Sequence, residues 1–85
     1  MKKSIEEIKK EIKRKYHFAL NNRDMWSLEE CRYLENHKIT KAKQIHEFVI
    51  EYQTRMNTLV DVYMIVAGIT NYLEAVDELR RKDAE

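Results

Sequence analysis

The chain contains no proline and a single glycine, Gly68, among its 85 residues. The turns of β-hairpins, nucleotide-binding loops and strained active-site turns depend on those two residue types, so most architectures built on them are excluded. Hydrophobic residues make up 44% of the chain, which is too many for a disordered protein. A chain of this length forms one domain, and its core is marginal for a monomer. We therefore expect a single small all-α domain over residues 1–85.

The first segment has the pattern of an amphipathic helix over about 4–20. Ser4 and Glu7 have the spacing of a capping box, and apolar residues recur behind them every three or four positions. The polar run at 21–24 predicts a loop, because Asn and Asp compete with a helix for backbone hydrogen bonds. A second short helix is expected over about 27–37.

The most regular pattern lies in the second half and predicts a long helix over about 40–82. Its apolar residues follow a heptad repeat that only Arg55 interrupts, which is typical of a coiled coil or a long bundle helix. A break near 68–70 is the alternative, with the last segment folding back. We favour a close crossing of another helix at Gly68, because glycine inside a helix otherwise costs about 1 kcal/mol.

An uninterrupted third helix predicts self-association. About 40 residues at 1.5 Å each would measure about 60 Å, which two short helices cannot cover. A second copy of the chain is the simplest cover, so we expect a homo-oligomer, with a dimeric helical bundle or coiled coil as first choice. The residues predicted to form the oligomer interface are Ile45, Phe48, Tyr52, Leu59, Val62, Val66, Ile69 and Leu73.

Nothing in the sequence indicates catalytic or metal chemistry. None of the three histidines has the spacing of a zinc site, and no glycine-rich turn could present a nucleophile. Cys31 lies in the apolar stripe of the second predicted helix, where we expect it to be a buried small hydrophobe. One thiol cannot form an internal disulfide, which favours a cytoplasmic protein. We expect no enzyme activity, no cofactor and no metal.

Charge is distributed unevenly along the chain. Residues 1–23 carry a net charge of +5, whereas residues 48–85 carry −3. The two ends could attract each other, within one chain or between chains, and the basic end could bind an anionic partner. The candidate anion or nucleic-acid contacts are Lys9, Lys10, Lys13, Arg14, Lys41 and Lys43. Lys41 and Lys43 lie at the start of the predicted third helix, and this helix start, the turn before it and the second predicted helix together have about the size of a helix-turn-helix.

These observations favour a small interaction or regulatory protein that binds another protein through a helical surface. Proteins this short that lack site chemistry are often adaptors, inhibitors or assembly factors, including those of phages and other mobile elements. The alternative is a transcriptional regulator that binds nucleic acid through the basic first helix or the helix-turn-helix-like middle. No membrane association is expected, because the longest apolar run is far shorter than the ~20 residues that span a bilayer.

Overall fold

A computed structural model describes residues 3–81 as three α-helices: α1 (Ile5–Glu35), α2 (Ile39–Ala67) and α3 (Tyr72–Arg80). No strand occurs among these residues, so the all-α prediction is confirmed. The molecule is elongated, with extents of 50 × 27 × 25 Å, because α1 and α2 are both long. None of the described helices is by itself long and apolar enough to cross a bilayer.

Helix α1 begins where the sequence predicts and then continues past its predicted end. The Ser4 hydroxyl accepts a hydrogen bond from the Glu7 backbone N–H at 3.2 Å. The predicted loop at 21–24 is wrong, because this segment lies within α1. Its polar side chains have partners compatible with a helix: Asn22 donates to the carbonyl of Phe18 one turn earlier, at 2.8 Å. The two predicted short helices are therefore one helix of 31 residues.

The chain reverses direction at residues 36–38, where a break was predicted. His37 has a φ of 59°, the left-handed conformation that ends a helix. Helices α1 and α2 then run antiparallel, because Glu30 of α1 contacts His46 early in α2 and Arg23 contacts Gln53 later in α2. The result is a long helical hairpin in which α1 covers α2 over most of its length.

Gly68 ends α2, so the continuous helix over 40–82 is wrong and the break near 68–70 is confirmed. Gly68 has a left-handed φ of 68°, and its N–H donates to the carbonyl of Met64. A Cβ at Gly68 would meet no atom within 4 Å, so the predicted close helix crossing there is also wrong. The Asn71 side chain caps α3 by accepting from the Glu74 N–H at 3.1 Å. The predicted limit at residue 82 lies outside the described residues.

Helix α3 bends by 100° from the axis of α2 and packs across one end of the hairpin. Leu79 is fully buried in the core between the three helices, together with Tyr16 and Met56. Arg80 of α3 donates from Nε to the hydroxyl oxygen of Tyr16 in α1 at 3.1 Å. This contact joins residues 64 positions apart, and it holds the end of α3 against α1.

Two expectations change with this architecture. A second chain was predicted because a continuous third helix would be too long for the other two to cover, but α1 has 31 residues and α2 has 29. The two helices therefore cover each other, and their lengths do not require a dimer. The predicted burial of Cys31 is wrong, because its side chain is exposed on α1.

Candidate functional site

An open groove of about 550 Å³ lies between α1 and α2. The two helices contribute four residues each, because side chains spaced three or four positions apart share one helix face. The lining residues are Arg14, Lys15, Phe18 and Ala19 from α1, and Thr54, Arg55, Thr58 and Leu59 from α2. We call this surface the groove.

The groove lies on the flank of the hairpin opposite α3. On α2, the residues that face α3 include Gln53, Met56 and Asn57. The groove residues Arg55 and Leu59 lie on the other flank of α2, because the helical repeat turns their side chains away from the face that carries those three residues. At the end of the hairpin away from the turn, one flank is therefore covered by α3 and the other is open to solvent.

The floor of the groove is apolar. Phe18 is 61% exposed, although aromatic side chains of this size are usually much more buried. The Thr54 hydroxyl donates to the Ile50 carbonyl at 2.9 Å, and the Thr58 hydroxyl donates to the Thr54 carbonyl at 3.1 Å. These hydroxyl hydrogens are thus used inside α2, and the threonine methyl groups add to the apolar surface. Leu59, which is partly buried, joins the floor to the core.

The charged residues that line the groove are all cations. The Lys15 ammonium lies 3.6 Å from a carboxylate oxygen of Glu11 one turn earlier on α1. Arg55 pairs with Glu51 at 2.8 Å on α2. Arg14 is exposed beside them. The groove therefore combines an apolar floor with a positive rim.

Two further contacts shape this rim. The Arg55 guanidinium lies 5.2 Å from the centroid of the Tyr52 ring, a cation–π geometry that orients it along α2. The hydrogen bond from Lys3, followed by the charges of Lys3 and Lys15, lowers the pKa of the Glu11 carboxyl. Glu11 therefore stays ionised and neutralises part of the basic cluster on α1.

An apolar stripe extends the groove along α2. Phe48, Tyr52, Leu59, Val62 and Val66 lie on one face at helical spacing, and we call them the α2 stripe. Phe48 and Val62 are 43% and 41% exposed. The ring of Phe48 stacks on Trp26 of α1, with centroids 4.8 Å apart. Apolar surface therefore continues beyond the groove toward the hairpin turn.

The structure brings five of the eight predicted interface residues together, and these five form the α2 stripe. The other three are separated from it. Ile45 is only 7% exposed and belongs to the interior of the hairpin. Ile69 follows the end of α2, and Leu73, which is 76% exposed, lies on α3 beyond the bend. The residues of the heptad pattern therefore share one surface only up to Gly68, where α2 ends.

The predicted basic residues do not form one surface. Lys9, Lys10, Lys13 and Arg14 lie in the first half of α1, whereas Lys41 and Lys43 begin α2 beside the turn. The Lys43 side chain lines a depression near Glu30, so the two groups lie about 30 Å apart along the hairpin. Lys9 lies 3.8 Å from Glu78 of α3. The basic and acidic ends of the chain therefore do meet within one chain.

The helix-turn-helix-like middle has a different geometry from the DNA-binding motif. That motif joins two helices at about 90–120°, which presents the second helix to the major groove. Here the corresponding segments are the end of α1 and the start of α2, and these run antiparallel.

Of the eight residues that line the groove, the sequence-based prediction named only Arg14 and Leu59, and the most informative of the other six are Phe18 and Arg55. Phe18 lies outside the apolar stripe of α1 that packs on α2, and Arg55 interrupts the heptad pattern of α2. An exposed aromatic residue off the core stripe, and a cation within an otherwise apolar stripe, are the signals that could have pointed to this surface. Only the pairing of the helices places the two side chains beside one another.

The described residues contain no group of three or more His, Cys, Asp or Glu side chains that could hold a metal ion. Comparison of the chain with protein-family models, curated proteins and solved structures found no match.

Proposed function

We propose that this chain is a small non-enzymatic interaction protein, an adaptor, inhibitor or assembly factor, that binds another protein through the groove and the α2 stripe. The observation that carries the proposal is the open apolar floor between two helices whose core is already complete. Phe18 is 61% exposed there while its neighbour Ala19 is 2% exposed in the core.

Energetics support a binding role for this surface. Exposed apolar area is unfavourable in water, so a surface that joins the exposed Phe18 to the α2 stripe favours a binding role. Aromatic residues and arginine dominate the binding energy of protein interfaces. Phe18 and Arg55 face the same groove, with Phe48 and Trp26 beyond it. This composition resembles the centre of an interface more than an ordinary solvated helix face.

Nucleic-acid binding, the alternative, has weaker support. Clustered free cations on one face would favour it, because phosphate contacts carry most of the affinity for nucleic acids. Lys9 is instead engaged with Glu6, Glu78 and the Tyr63 ring. We therefore put the protein-binding surface first.

Site-specific photocrosslinking tests the proposal in cells that naturally carry the gene. A benzophenone amino acid in place of Phe18 should give a crosslinked product, and the same group in place of Lys41, at the other end of the hairpin, should not. Adding Thr58→Glu, which puts a charge into the apolar floor, should abolish the Phe18 product. The absence of any product from position 18, or equal products from both positions, would refute the assignment of the groove.

A further inference from the structure

The groove has a chemistry that specifies its occupant. We infer that it binds an acidic amphipathic helix of a partner protein, with apolar side chains on the floor and carboxylates on the rim. This inference rests on the proposed function, since it names the partner chemistry of the same surface. Three features carry it: the charge of the rim, the shape of the floor, and the way the hairpin holds its own third helix.

Charge complementarity gives the sign of the partner. Among residues 3–81, the charged side chains that line the groove are Arg14, Lys15 and Arg55, and all three are positive. Glu11 and Glu51 pair with Lys15 and Arg55 from outside the lining, so these five side chains together keep a net charge of +1. A partner carboxylate on the groove side would meet this net positive charge. A basic helix would place like charges together, which disfavours binding.

The shape of the floor favours a helix as the partner element. The lining side chains come from two antiparallel helices, and they combine the small residues Ala19 and Thr58 with the larger Phe18 and Leu59. A concave apolar strip of this kind accepts the apolar ridge of a third helix, whose anchors recur every three or four residues. The exposed Phe48 and Val62 of the α2 stripe extend the surface for further anchors.

Helix α3 shows how the hairpin holds such a helix on its other flank. α3 carries three acidic residues and one basic residue, and its Ala75 and Leu79 are fully buried. Its Glu78 accepts a hydrogen bond from the Tyr63 hydroxyl at 2.6 Å and lies 3.8 Å from the Lys9 ammonium. Apolar anchors and a carboxylate near a cation of α1 are thus among the contacts that secure this acidic helix, together with the hydrogen bond from Arg80 to Tyr16.

Three synthetic peptides of about five helical turns test the inference. All carry leucines at helical spacing, and the outer positions carry glutamate in the first peptide, glutamine in the second and lysine in the third. Fluorescence anisotropy measures their binding to the full chain. We expect the glutamate peptide to bind at least about tenfold more tightly than the lysine peptide, with affinity that falls as salt rises.

Matched variants of the chain locate the binding. Arg14→Glu with Lys15→Glu should weaken the glutamate peptide about tenfold, while Lys41→Glu with Lys43→Glu makes the same change in net charge at the turn and should leave affinity within about twofold. Phe18→Ser should weaken all peptides that bind. Circular dichroism of each variant checks that the helices are retained.

The outcomes separate the partner chemistry from the proposed function. Equal binding of the glutamate and glutamine peptides, lost in Phe18→Ser, would overturn the acidic preference and leave the groove as a binding surface. Binding that is indifferent to Phe18→Ser would overturn both. A dimer in sedimentation equilibrium that Phe18→Ser dissociates would identify a second copy as the occupant and overturn the inference.

Discussion

Replacing Gly68 by alanine tests the structural element that separates α2 from α3. Gly68 has a φ of 68°, in the left-handed region where a Cβ is disfavoured by about 1–2 kcal/mol. Alanine also restricts the unfolded chain, which returns about 0.4–1 kcal/mol of stability. Since a Cβ would meet no atom within 4 Å, no steric clash adds to this balance. The expected net effect of Gly68→Ala is a loss of about 1 kcal/mol.

Urea unfolding followed by circular dichroism at the helical band measures this loss directly. A chain of this length should also lose about 4–8 °C in Tm per 1 kcal/mol. In a straight helix the same change would stabilise the protein by about 1 kcal/mol, so the sign distinguishes the two structures. An unchanged or raised stability would refute the left-handed cap.

Gly68→Asn is the matched control. Asparagine tolerates the left-handed conformation better than alanine, so this variant should be more stable than Gly68→Ala. At a close helix crossing the order would be reversed, because the larger asparagine would overpack the contact. Alanine more stable than asparagine would therefore contradict the open environment at Gly68.

Four further predictions follow from the packing. Asn22→Pro should cost about 3 kcal/mol in chemical unfolding, since residue 22 lies inside α1, whereas a loop at 21–24 would tolerate it. Leu79→Ala should cost about 2–5 kcal/mol in the same assay, because this fully buried side chain anchors α3; a loss below 1 kcal/mol would contradict its place in the core. Phe48→Ala should shift the fluorescence of Trp26, the single tryptophan, to longer wavelength by removing the stacked ring. The pKa of Glu11 is lowered in the folded state, so its contribution to stability is present above its ordinary pKa and is lost as pH falls. The difference in unfolding free energy between the wild type and Glu11→Gln should therefore shrink below about pH 4. A difference that stays constant with pH would contradict the ion pairs of Glu11.

Several features of the fold follow from local sequence alone. The absence of proline, the capping pattern at Ser4 and Glu7 and the apolar periodicity determine a helical chain, because helix formation and capping involve groups within four positions of each other. The reversal near residue 37 and the break at Gly68 were also visible locally, the second only as an alternative. The stripe from Phe48 to Val66 was identified because helical spacing assigns those side chains to one face.

Tertiary contacts decided the rest. The polar run at 21–24 reads as a loop in isolation, but Arg23 reaches Gln53, thirty positions away, and holds this part of α1 against α2. The position of α3 depends on Leu79 in the core and on the bond between Arg80 and Tyr16. Local propensities amount to tenths of a kcal/mol per residue, whereas burial of a large side chain contributes about 1.5–3 kcal/mol, so packing overrides them.

The pairing of side chains across the groove belongs to this second category. Phe18 and Leu59 lie 41 positions apart in the sequence, and no local pattern indicates that they share a groove. The same tertiary pairing removed the need for a second chain, since a continuous α1 covers α2. The sequence by itself determined which side chains share a helix face. Only the antiparallel pairing of the helices decided which faces are buried and which stay open to a partner, because that choice depends on contacts between distant segments.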